Sequence, residues 1–215
     1  MCWTLPNILT LFRLFAAPAL GLVFLLMARP YADWAALILF VGAALTDYID
    51  GTLARRWNQV SKFGAMLDPI ADKAMVVIAL AVLLALLGVR AWLMVPAVVI
   101  LFREVFVTGL REYLGGRAGT LKVTPLAKWK TAMQMVAISL LFALGLFDGH
   151  VSGGQTYRLG GEIADEFRLI WKDYGLLLCF WGGVVLLWLS AGLTLVTGAD
   201  YFRKALPYLK EARYG

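Results

Sequence analysis

Four aspartates, Asp47, Asp50, Asp68 and Asp72, lie between long apolar runs, and this placement constrains the chain more than any other feature. A charged residue at the centre of a membrane helix costs about 2.5–3.5 kcal/mol even on the lenient insertion scale. Four left unpaired would cost on the order of 10 kcal/mol. Any workable fold must bring positive groups among them or let water reach them.

The surrounding composition makes the membrane reading necessary. The 215 residues are 61% hydrophobic and 16% charged, with a mean hydropathy of +0.78. That describes a polytopic membrane protein and excludes an ordinary soluble domain. A span needs about 20 apolar residues. Six runs qualify: Ile8–Ala28, Ala35–Ala54, Ala65–Leu87, Ala91–Tyr113, Thr131–Phe147 and Tyr174–Thr197. The expected fold is all-α, with six transmembrane helices and a short N-terminal interfacial helix in a single domain, 1–215. Arg13 within the first run, and the absence of a clear A-x-A site after it, argue for a retained helix rather than a signal peptide. Cys2 and Cys179 are far apart and suggest neither a disulfide framework nor a zinc site. His150 reads as a solvated loop residue.

Loop charge sets an expected orientation. Arg55, Arg56 and Lys62 lie between spans two and three; Arg117, Lys122, Lys128 and Lys130 lie between spans four and five. The segment Asp148–Asp173 is richer in acids and reads as a long outer loop. The positive-inside rule then places both termini and the aspartates on the cytoplasmic side. The net charge of +6 suits anionic lipids and phosphate substrates, and nothing suggests a nucleic-acid surface.

Spacing says where the aspartates point. Asp47 and Asp50 are about 60° apart on a helix, Asp68 and Asp72 about 40°. Each pair therefore shares one helix face. One helix should end near Ala54 and the next begin near Phe63, and a short antiparallel connection lets the acidic faces meet. Converging carboxylates form a hard, all-oxygen site suited to Mg²⁺, Mn²⁺ or Ca²⁺ rather than zinc. Gly51 and Gly64 permit close approach to the backbone. Arg55 supplies a planar fork for a phosphoryl group, and Ser61 adds a hydroxyl. The alternative is structural neutralisation of the acids by Arg55, Arg56 and Lys62.

The pattern D-x2-D-G-x2-A-R-x8-G-x3-D-x3-D, Asp47 to Asp72, resembles the signature of the CDP-alcohol phosphotransferase family at every specified position. The resemblance implies a metal-dependent phosphatidyltransferase acting on CDP-diacylglycerol and releasing CMP. It implies Asp47, Asp50, Asp68 and Asp72 as ligands to divalent metal, Mg²⁺ or Mn²⁺, as two ions, with Asp72 also the catalytic base. Gly51, Ala54, Arg55, Ser61 and Gly64 would hold CDP-diacylglycerol. The run P-N-x-L-T-x-x-R, Pro6 to Arg13, is similar to the family's N-terminal segment and adds Asn7 to that set. Read without the resemblance, Pro6 breaks any preceding helix, Asn7 or Thr10 caps the next, and Arg13 snorkels to phosphates. A homodimer is also implied.

A second pattern bears on the acceptor. Arg103, Glu104, Leu110, Arg111 and Glu112, followed by Lys128, Lys130, Thr131 and Gln134, resemble the phosphatidylglycerophosphate synthases within that superfamily. The implied acceptor is sn-glycerol 3-phosphate, with its phosphate on Arg111, Lys128 and Lys130. Arg103 reads as structural. Serine, inositol phosphate, choline or phosphatidylglycerol remain open as acceptors. A divalent-cation transporter would account for the acids but leaves Gly51, Arg55 and Gly64 without a role. Tyr201–Tyr214 reads as an interfacial tail.

Overall fold

The structure is a computed structural model that describes residues 5–57, 62–115, 126–148 and 162–211. Those residues form six helices: α1 Leu5–Leu26, α2 Tyr31–Trp57, α3 Lys62–Leu87, α4 Ala91–Leu114, α5 Leu126–Asp148 and α6 Glu162–Glu211. The predicted boundaries near Ala54 and Phe63 thus fall within three residues of those observed. Among the residues with described side chains, five helices contain stretches long and apolar enough to cross a membrane, and α2 contributes the apolar stretch Tyr31–Thr46.

The pattern of burial is inverted relative to a water-soluble protein. Phe15, Leu25, Val105 and Leu178 are each more than 60% exposed, whereas Arg13, Asp33 and Lys130 are buried. Large apolar side chains facing outward and charges facing inward are what a hydrocarbon solvent selects. The interior is closed by small and aliphatic residues, among them Ala17, Leu20, Ala36, Phe40, Ala79, Leu83, Ala97, Ile138 and Leu187. Small residues also set helix spacing. A Cβ on Gly183 would come within 2.8 Å of Leu141 Cδ2, so α5 and α6 approach more closely than larger residues would allow.

Three expectations need correction. First, α1 runs unbroken from Leu5, so Pro6 lies in its first turn, where its missing N–H costs nothing. Asn7 and Thr10 are buried within the helix rather than capping it. No separate interfacial helix occurs among the described residues; residues 1–4 lie outside them. Second, Asp148–Asp173 is not all loop: α5 reaches Asp148 and α6 begins at Glu162, with 149–161, including His150, outside the described residues. Third, α6 continues past Thr197 to Glu211 as one helix of 50 residues, about 75 Å long at 1.5 Å per residue. Tyr201 and Ala205 are buried, so this segment belongs to the bundle and is not a detached tail. Residues 212–215 lie outside the described set.

Among the described residues, the consecutive acidic helices α2 and α3 touch little, and α1 packs closely against both. Arg13 meets Asp68 and Asp72, while Gly21 faces Ile78 and Val82. The helices α1 and α3 therefore run in the same direction. Contacts of Lys73 with Thr108, Lys130 with Glu104 and Arg103 with Thr197 bring the start of α3, the end of α4, the start of α5 and the later part of α6 to one end of the bundle. The opposite end is tied by Asp33, which is 3.3 Å from Arg29 and lies against Gly145 of α5.

Candidate active site

The site begins with a polar stripe on α1. Asn7, Thr10 and Arg13 are spaced by three residues, share one helix face and are all buried. Thr10 Oγ1 donates to Asp68 Oδ1 at 2.6 Å. Arg13 donates through Nη2 to Asp68 Oδ1 at 3.2 Å and through Nη1 to Asp72 Oδ1. Asp68 and Asp72 are one turn apart on α3, so one guanidinium spans both carboxylates. Arg13 is 1% exposed, which corrects its reading as a snorkelling residue. It is a positive partner for these acids, supplied by a helix more than fifty residues earlier; the side chains of Arg55 and Lys62 lie outside the described residues. The available signal was a lone charge inside an apolar run, which by default marks a site.

Asp47, Asp50, Gly51, Ala54 and Arg55 fall on the described α2 backbone, but their side chains, and the whole of Ser61, lie outside the described residues. The helical backbone of α2 keeps Asp47 and Asp50 on one face. Gly64 is buried in the first turn of α3. Among residues with described side chains, no group of three potential metal ligands converges. The donors present are carboxylate oxygens, and those of Asp68 and Asp72 are 46% and 40% exposed. Hard, accessible oxygen donors fit Mg²⁺ or Mn²⁺.

Beside Asp72 opens a cavity of about 290 Å³. Its walls come from α3 (Asp72, Lys73), α4 (Arg103, Glu104, Arg111) and α5 (Lys130, Thr131, Gln134). Four positive side chains face two negative ones, leaving an excess of two positive charges. Such a balance suits a small dianion, and the volume is at the low end of the usual range for small-molecule sites, about 300–1,000 Å³.

Each cation is held differently. Lys130 is 4% exposed and pairs with Glu104 Oε1. Arg103 Nη1 donates to the same oxygen at 3.0 Å, and Nη2 to Thr197 Oγ1 at 3.4 Å. The expected structural role for Arg103 is thus joined by a position on the cavity wall. Lys73 Nζ donates to Thr108 Oγ1 at 2.6 Å, and that hydroxyl donates to the Glu104 carbonyl at 2.5 Å. Arg111, on the last turn of α4, lies with Cζ 5.3 Å from the Tyr201 ring centroid. Just beyond it, Gly115 adopts φ 51° and its N–H donates to the Arg111 and Glu112 carbonyls, closing the helix. The side chain of Lys128 lies outside the described residues. Sequence reading brings Arg111, Lys130 and Gln134 together and takes Lys73 as a screen for the neighbouring carboxylates; it does not single out Thr108 or Tyr201.

The geometry places a carboxylate, an ordered cation and a polar cavity at one end of a membrane bundle, and comparison with known proteins agrees. The CDP-alcohol phosphatidyltransferase profile matches residues 3–196. A protein from Cereibacter sphaeroides named CDP-diacylglycerol--glycerol-3-phosphate 3-phosphatidyltransferase is 54% identical over 223 aligned positions, covering 99% of this chain and 100% of that one. Proteins of the same name from Rickettsia bellii and Escherichia coli are 37% and 42% identical; they cover 95% and 66% of this chain, and 96% and 78% of their own lengths. With most of its length inside the profile and its acidic motif complete, the chain belongs to the CDP-alcohol phosphatidyltransferase family.

Proposed function

We propose that the protein transfers the phosphatidyl group of CDP-diacylglycerol to sn-glycerol 3-phosphate, giving phosphatidylglycerophosphate and CMP. The observation that carries this reading is the cavity beside Asp72, with its excess of positive charge from Lys73, Arg103, Arg111 and Lys130. A neutral acceptor such as serine would not need it, and a lipid acceptor would not fit a small polar chamber. The names borne by the relatives support the same acceptor.

Asp47, Asp50, Asp68 and Asp72 are the residues that would hold Mg²⁺ or Mn²⁺, as two ions, which when bound supply neutralisation of the donor's diphosphate charge. Asn7, Gly51, Ala54, Arg55, Ser61 and Gly64 bind the CDP-diacylglycerol head. Arg111, Lys128 and Lys130 bind the acceptor phosphate and aim its distal hydroxyl toward Asp72. Asp72 takes the hydroxyl proton as the acceptor oxygen bonds to the phosphorus bearing diacylglycerol. The phosphoanhydride bond breaks and CMP leaves with its electron pair. Arg13 holds Asp72 at one oxygen and so fixes the direction of its carboxylate. The enzyme crosses the cell membrane six times, α2 included, with both termini and the site cytoplasmic, and acts as a homodimer.

The test is CMP release by purified protein given CDP-diacylglycerol, Mg²⁺ or Mn²⁺ and a panel of alcohols. Release with sn-glycerol 3-phosphate, lost in Asp72→Asn while the protein still inserts, is expected. Preference for another alcohol overturns the acceptor, and no release with any alcohol overturns the reaction.

A further inference from the structure

The cytoplasmic extension of α6 was expected to be a tail, yet it packs against the cavity wall. Thr194, Thr197, Tyr201 and Ala205 form a buried stripe along one face of α6. Thr197 accepts from Arg103, and a Cβ at Gly198 would meet Arg103 Cγ at 3.1 Å. One turn further, Tyr201 is 6% exposed and its ring lies under the Arg111 guanidinium at 5.3 Å. That separation is within the roughly 6 Å reach of a cation–π contact. Arg111 itself is exposed, and among the described residues no carboxylate lies within ion-pair distance of it. An arginine side chain without a fixed contact samples many rotamers and, at a membrane surface, has lipid phosphates to wander toward.

We infer that Tyr201 is a positioning residue for acceptor binding: its buried ring face holds Arg111 at the cavity, ready for the acceptor phosphate. The inference rests on the reading of Arg111 as an acceptor ligand. A guanidinium lying over a ring keeps its N–H edge available to a phosphate, so the contact orders the side chain without consuming its donors. The ring, rather than the hydroxyl, performs this task.

The test is steady-state kinetics in mixed micelles with both substrates varied. Tyr201→Leu should raise KM for sn-glycerol 3-phosphate by roughly 2- to 30-fold, the span of cation–π strengths converted to affinity, with KM for CDP-diacylglycerol and kcat little changed. Tyr201→Phe should restore the parental KM. Pentafluorophenylalanine at 201, which keeps the ring's shape but reverses its quadrupole, should behave like Leu and serves if Tyr201→Leu fails to fold. In an Arg111→Ala background the Tyr201 changes should add nothing. If Arg111→Ala raises KM but neither Leu nor the fluorinated ring does, the positioning role is refuted. A Phe variant as poor as Leu, or a uniform loss in kcat and both KM values, refutes it as well. If Arg111→Ala itself leaves KM for sn-glycerol 3-phosphate unchanged, the underlying assignment of Arg111 falls instead.

Discussion

Replacing Arg13 by Met removes the charge while keeping most of the buried stem. Arg13 makes a charge-assisted bond to each of Asp68 and Asp72. Bonds of this kind contribute about 1.5–3 kcal/mol each. The acceptor side chains are 46% and 40% exposed, so water recovers part of the loss and each bond falls toward the lower end of that range. Together the loss comes to about 2–3 kcal/mol. For a protein of this size 1 kcal/mol shifts Tm by about 2–4 °C, so Arg13→Met should melt roughly 4–12 °C below the parent. The assay is thermal unfolding in detergent micelles, followed by size-exclusion or tryptophan fluorescence. The same substitution made on Asp68→Asn/Asp72→Asn should cost clearly less, because there the arginine has already lost these two carboxylates. A Tm unchanged within about 2 °C in the parent, or the full loss persisting without the aspartates, would refute pairing as the role of Arg13.

Other substitutions check separate parts of the structure. Glu104→Gln leaves Lys130 and Arg103 facing each other without their shared anion and should cost about 2–4 kcal/mol by the same melting assay; Lys130→Met added to it should recover part of the loss. Gly145→Ala would put a methyl 2.5 Å from Asp33 Oδ1, whose carboxylate is buried and tied to Arg29, and should lower Tm by several degrees. Gly109→Ala, with nothing within 4 Å of the added atom, should leave Tm unchanged or raise it slightly through helix propensity.

What the sequence disclosed and what it withheld divide along range. Spacing of four placed Asp68 with Asp72 on one face, and the density of charge after Phe102 marked the last turns of α4 as a site. These are local relations, and helical periodicity carries them. The partner of Asp68 and Asp72 is on α1, and the partner of Arg111 is on α6 at Tyr201. No spacing rule links such positions, and a buried tyrosine beyond an apolar span looks like any interfacial aromatic. Whether the acidic faces of α2 and α3 meet turns on Asp47 and Asp50, whose side chains lie outside the described residues; what the sequence did not announce is that α1 packs against both helices. The reach of α6 was missed because Gly198 and Asp200 resemble a helix stop, although the apolar face continues through Tyr201 and Ala205.

The long sequence separation between Arg13 and its carboxylates has a bearing on how the molecule is made. Synthesis delivers α1 first, and 55 residues of chain must follow before Asp68 emerges. Until then the arginine lacks these two carboxylates, and a charge at mid-membrane is opposed by about 2.5–3.5 kcal/mol. The first segment is therefore an incomplete guest of the bilayer, best kept beside the insertion machinery until the third arrives. The closed bundle thus carries an ionic handshake between turns made far apart in time, beside the greasiness of the two helices.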